Sequence, residues 1–172
     1  MSKYHIYEKT RYLQRVCFPY LGREYELDIR RYLSYKKPGV KPEGNRLVVL
    51  TASIEEQVIE AALKQWYSQQ AGRIIRERVE YYQKILQEPI SCIRIKDVKS
   101  RWGSCSSKRN LNFNWRLVMA PPEVLDYVVV HELCHLKEMN HSKAFWALVE
   151  SILPDYKRQR EWLKECRLIE KY

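Results

Sequence analysis

Three of the four histidines in this chain lie in one run, His131-Glu132-Leu133-Cys134-His135-Leu136-Lys137-Glu138-Met139-Asn140-His141. On a helix, His131 and His135 are one turn apart on a single face, so both imidazoles can reach one cation. Glu132 is displaced around the helix, beside the ligands rather than among them, where its carboxylate can take a proton from water. This is the H-E-x-x-H pattern of zinc hydrolases, two ligands and a general base. His141 lies six residues past His135 and cannot share that face of a straight helix. The chain is therefore expected to turn after about Glu138 and bring His141 back as the third ligand. Zinc proteases with a His at this offset carry Gly where this chain has Glu138. Asn140 is the expected substitute, because Asn tolerates the left-handed region better than other non-glycine residues.

Three neutral imidazoles with one position left open suit a catalytic Zn²⁺; a structural ion is usually closed by a fourth protein ligand. Ni²⁺, Cu²⁺ and Fe²⁺ accept the same donors. Glu150 is an alternative third ligand. Cys134 projects about 100° away from His135 on a helix and reads as packing. The competing account of the whole run is the polar face of an amphipathic helix.

The elements that must position these groups follow from pattern and punctuation. Val16–Tyr20 and Glu24–Arg31 read as strands flanking a Leu21-Gly22 turn, and Arg46–Leu50 as a further strand. Ser53 with Glu56 reads as a capping box opening a long helix to Glu88-Pro89, with Gly72 a weak point in its middle. Ser91–Val98 and Leu111–Met119 read as strands. Pro121-Pro122 opens the helix that carries His131, and Ser142 caps the next, which contains Phe145, Trp146 and Val149. Pro154 begins a last helix with Tyr156, Trp162, Leu163 and Leu168. The expected fold class is α+β, with a small antiparallel sheet packed on a long helix, an active-site helix and C-terminal helices. Residues 1–52 read as a β-rich segment and 53–172 as the main domain, the two forming one compact unit.

With 172 residues, the chain can bury a real core. The five cysteines are odd in number, scattered and without a C-x-x-C pair, which argues against a disulfide framework or a Cys-type zinc site and fits a reducing cytoplasm. No run is long and apolar enough for a membrane, and the polar start is not a signal peptide. The net charge of +10 is concentrated: residues 1–50 carry 11 basic and 5 acidic groups, and residues 91–120 carry 7 and 1. Such a surface can attract nucleic acid, nucleotides or acidic proteins, or simply solubilise the chain. His5 reads as a surface residue.

Ser100-Arg101-Trp102-Gly103-Ser104-Cys105, Asn114-Trp115-Arg116-Leu117, Ala120-Pro121-Pro122, Tyr127 through His135, and His141-Ser142-Lys143-Ala144-Phe145-Trp146 together resemble the YgjP-like metallopeptidase family. That group is zincin-type and similar in its metal motif to SprT-like proteases. The resemblance runs from about Tyr20 to the end, and implies a zincin-like minimal metalloprotease fold. It also implies Zn²⁺ on His131, His135 and His141, with Glu132 as general base and a peptide or protein as substrate. Zincins pair the peptide with an edge strand before the metal helix. Leu111–Arg116 or the segment Arg101, Trp102, Gly103 and Ser104 would supply it here. Arg101 and Tyr127 both remain open as stabilisers of the oxyanion, and Trp102 and Trp115 as pocket or core. Two rivals stay in view. One is hydrolysis of a nucleotide phosphoanhydride, with Arg94, Lys99, Arg101 and Arg116 neutralising phosphates. The other is a nucleic-acid-associated protein, catalytic or not.

Overall fold

A computed structural model describes residues 17–166 and is α+β. His5, Val16 and Leu168 lie outside the described residues. Among the described residues, seven strands and four α-helices follow in the order β1 (Phe18–Tyr20), β2 (Arg23–Arg31), β3 (Gly39–Glu43), β4 (Arg46–Thr51), α1 (Glu56–Leu86), β5 (Cys92–Lys96), β6 (Gly103–Cys105), β7 (Asn110–Asn114), α2 (Pro122–Cys134), α3 (Lys143–Ile152) and α4 (Tyr156–Glu165). A 3-10 helix, Trp115–Met119, joins β7 to α2. The chain forms two compact units that divide within α1, between Gln69 and Gln70.

The first unit contains a sheet of order β1-β2-β4-β3. The expected hairpin forms at Leu21 and Gly22, with φ of 49° and 73°. Two consecutive left-handed residues match the twist of the flanking strands. Leu47, Val48 and Val49 are fully buried, and Trp66 of α1 lies against Tyr20 with ring centroids 4.8 Å apart. The Ser53 capping box does not form. Helix α1 starts at Glu56, and the Ser53 side chain bonds the Glu55 amide instead, while Thr51 Oγ1 accepts from the Ser53 amide. The helix runs unbroken past Gly72 and closes at Gln87, whose φ of 57° provides the left-handed stop usually made by glycine.

The second unit holds a sheet of order β5-β7-β6. Each sheet includes one parallel pair, β2 with β4 and β5 with β7, so neither is the purely antiparallel sheet expected. The expected Leu111–Met119 strand also ends early, at Asn114. The Asn114 side chain accepts from the Arg116 amide at 3.1 Å and turns the chain into the 3-10 helix. The Nδ2 of the same Asn114 side chain donates to the carbonyls of Val98, at 2.6 Å, and Arg101, at 3.1 Å. Buried Asn114 thus pins the 97–102 loop to β7, and its own amide donates to Trp102 O. The Arg116 side chain, also buried, pairs with Asp97 at 2.6 Å. Helix α2 packs against β6, the 3-10 helix, α3 and α4. Val128, Val129 and Leu133 lie in the core, and a short ion pair from Arg78 to Asp126 ties α2 to the second half of α1.

Asn114→Ala removes the donor of two loop carbonyls and the cap of the 3-10 helix. It should cost about 2–4 kcal/mol of stability in a urea titration. A loss below about 0.5 kcal/mol would show that the loop is held by something else.

Candidate metal centre

Helix α2 carries His131 and Glu132 in its last turn, and His135 is its C-cap. The chain then leaves the helix through a tightened turn, with Leu136 N bonded to Leu133 O and both Lys137 N and Glu138 N bonded to Cys134 O. Among the described residues, positive φ outside glycine occurs at Leu21, Gln87 and Arg109, so Asn140 does not make a left-handed turn. The reversal comes instead from i→i+3 tightening and a short bond from Ser142 N to Asn140 O at 2.8 Å. Ser142 then caps α3, its hydroxyl accepting from the Phe145 amide at 3.2 Å. This places His141 beside the two helical histidines.

The three imidazoles present one donor nitrogen each, all within 4.8 Å of one another. His131 Nε2 and His141 Nε2 face each other at 3.0 Å. His135 Nδ1 lies 3.0 Å from Glu138 O; a carbonyl can only accept, so Nδ1 carries a proton and Nε2 is the nitrogen left to face an ion. Ligand nitrogens around a tetrahedral Zn²⁺ would be about 3.4 Å apart, given bonds of about 2.1 Å. The observed spacing brackets that value, and the residues fit a divalent cation. Phe145 is fully buried under the cluster, with ring centroids 4.9, 4.5 and 4.8 Å from those of His131, His135 and His141. Burial, reinforced by the other two histidines, pushes His131 down to about 3, so it stays neutral and able to ligate.

Glu132 is 6% exposed. Burial raises its pKa to about 8, and the Arg101 charge opposes that rise. Its side chain lies against Gly103 of β6: a methyl group placed on that glycine would be 2.6 Å from Oε1 and 2.8 Å from Cγ. The glycine of the Arg101–Ser104 segment is therefore a space requirement of the carboxyl group. Strand β6 is an edge strand, whereas β7 is flanked on both sides. A peptide cannot pair with Leu111–Arg116, and of the two expected candidates only the Arg101–Ser104 segment offers a free edge. A cavity of about 140 Å³ beside it is lined by Arg101, Trp102, Gly103, Ser104, Lys96 and Asn112 among others.

Other expected residues fall elsewhere. Glu150 is exposed and pairs with Lys157 at 3.2 Å, apart from the imidazole cluster. Cys134 is buried and its thiol is pushed up to about 12, in keeping with packing. Trp115 is buried, while Trp102 is half-buried at the cavity. Sequence reasoning did not single out Phe145 or Trp146 as neighbours of the histidines, or Arg160 at all. The four-residue spacing of Tyr156 and Arg160 was the available signal for the last.

The sequence matches the YgjP-like metallopeptidase domain over residues 1–166. The chain belongs to the YgjP-like metallopeptidase family. The family implies a divalent metal and a hydrolase, and the three-histidine cluster is where this member can hold the ion. The metallopeptidase zymogen of Pyrococcus abyssi abylysin is similar to this YgjP-like chain at 24% identity and a TM-score of 0.48, covering 52% of this chain and 90% of that one. That of Methanocaldococcus jannaschii jannalysin gives 26% and 0.44, covering 52% and 91%. A UTP pyrophosphatase of Escherichia coli (strain K12) is 43% identical over 53 residues, 28% of this chain; the match spans about a third (32%) of that relative's length. No helix among the described residues is long and apolar enough to cross a membrane.

Gly103→Ala should displace the Glu132 carboxyl while leaving the three histidines in place. Hydrolytic activity is expected to fall about tenfold to a hundredfold at unchanged metal content. Full activity in this variant would show that Glu132 does not depend on its contact with β6.

Proposed function

We propose that this protein is a zinc-dependent metallopeptidase in which His131, His135 and His141 hold the ion and Glu132 handles the proton. The observation that carries this reading is the convergence of three imidazoles next to a buried carboxyl group that rests on an edge strand. A divalent ion held there supplies positive charge that polarises a carbonyl, acidifies water and favours the ionised form of Glu132. Strand β6 pairs with the extended peptide through its free backbone edge, while Arg101, Trp102 and Ser104 at the adjoining cavity take a substrate side chain. Glu132, with a pKa that burial brings near neutrality, accepts a proton from water and returns it to the leaving amine. The contact with Gly103 keeps its carboxyl in one place for both transfers. The free thiols of Cys92, Cys105 and Cys134 accord with action in the reducing cytoplasm.

A second reading has one specific support. The 53-residue match to a protein named as a UTP pyrophosphatase, with Arg101 and Lys96 at the cavity, is what supports hydrolysis of a nucleotide phosphoanhydride at the same centre; the match covers 28% of this chain and leaves the peptidase reading ahead. The basic surface of residues 91–120 would then meet phosphates.

Purified, metal-loaded protein is to be offered a peptide library and UTP in parallel, with Glu132→Gln as the control. We expect peptide cleavage that drops by at least about a hundredfold in the variant while metal is retained. UTP turnover that depends on Glu132, without cleavage of any peptide, would replace the first reading by the second.

A further inference from the structure

Helix α4 brings to this centre a charge that the mechanism above leaves without a task. Tyr156 and Arg160, four residues apart on α4, share a face. Tyr156 is buried and stacks on Trp146, with centroids 5.4 Å apart and planes at 15°. Trp146 in turn lies parallel to His141, at 5.5 Å and 19°. One turn along α4, the guanidinium carbon of Arg160 sits 4.6 Å from the Trp146 ring centroid. Several arginines of this unit are committed, Arg73, Arg78, Arg109 and Arg116 to carboxylates and Arg76 to a backbone carbonyl; Arg94, Arg101 and Arg158 are not, but of the described arginines Arg160 is the one seated on Trp146, the ring that lies along His141. Arg160 is exposed and has no carboxylate partner among the described residues. A guanidinium held on an aromatic face beside a ligand, with its donors unused, is preorganised to meet an anion.

The alternatives are placed less well. Tyr127 is 4% exposed, boxed in by His131 and Tyr156, and cannot reach a substrate. Arg101 lines the cavity beside β6, whose Gly103 rests against Glu132, on the side of proton transfer. We propose that Arg160 is the oxyanion-binding residue of this site, its guanidinium held on Trp146 beside His141 and taking the substrate oxygen that becomes negative. The proposal rests on the metallopeptidase reading for its reaction. As the water oxygen bonds to the carbonyl carbon, the π pair moves onto the carbonyl oxygen opposite Arg160, and the water proton goes to Glu132. On collapse, that pair re-forms the carbonyl, the C–N bond breaks, and the proton passes from Glu132 to the departing nitrogen.

Wild type, Arg160→Met and Arg160→Lys are to be compared as metal-loaded proteins in three measurements: metal affinity, binding of inorganic phosphate by calorimetry, and peptide hydrolysis. Arg160→Met should keep wild-type metal affinity, weaken phosphate binding at least about tenfold, and lower kcat about a hundredfold with KM little changed. Arg160→Lys should recover part of both losses. Metal affinity falling in step with activity would reduce Arg160 to a prop for Trp146 and His141 and overturn the proposal, as would unchanged phosphate binding in Arg160→Met. If the wild type cleaves no peptide, the metallopeptidase reading fails on its own, and the phosphate titration still decides whether Arg160 binds the oxyanion.

Discussion

The site depends on one packing constraint, the placement of the Phe145 ring against all three imidazoles at once. Two histidines on a helix converge almost automatically, but the third comes from outside the helix and must be held against the loss of freedom that ligation entails. The fully buried ring gives the three a common apolar floor, and the Ser142 cap fixes where that ring enters α3. Trp146, parallel to His141, limits the tilt of the most exposed ligand. Burial by this wall also keeps His131 neutral, which ligation requires.

A second constraint, independent of the first, sets the carboxyl group. Glu132 shares a helix turn with a ligand, yet its position is decided by β6, because Gly103 leaves room for it and no larger residue would. The loop before β6 is in turn held by Asn114, whose amide spans from Val98 O to the start of the 3-10 helix. Ligands and base are therefore supported by different elements, α3 on one side and the β6–β7 pair on the other. Substitutions should be able to separate metal binding from proton transfer.

Much of this was legible in the chain because it depends on local physics. The spacing of His131 and His135 is a helix repeat, Pro122 opens α2, Ser142 caps α3, and Leu21-Gly22 makes the hairpin turn. What was not legible depends on partners distant in sequence. The stretch from Leu111 to Met119 reads as one strand, and only the Asn114 side chain bonds show why it breaks in the middle. The parallel pairings of both sheets are set by chain crossovers that alternation does not encode. Asn140 was the sensible residue for a left-handed turn, but i→i+3 bonds reversed the chain without one. Gly103 reads as part of a substrate strand, and the added steric reason for a glycine there is supplied by α2, which the local sequence does not encode. Arg160 carried no motif, since its importance comes from Trp146 lying beneath it.

The central claim is that His131, His135 and His141 jointly hold one divalent ion. Metal content of protein purified without added metal, measured by elemental mass spectrometry for wild type and His141→Ala, tests it most directly. The account predicts about one ion per chain in the wild type, zinc on the proposal above, and a small fraction of that in the variant. Full occupancy in His141→Ala, or no transition metal in either protein, would contradict it.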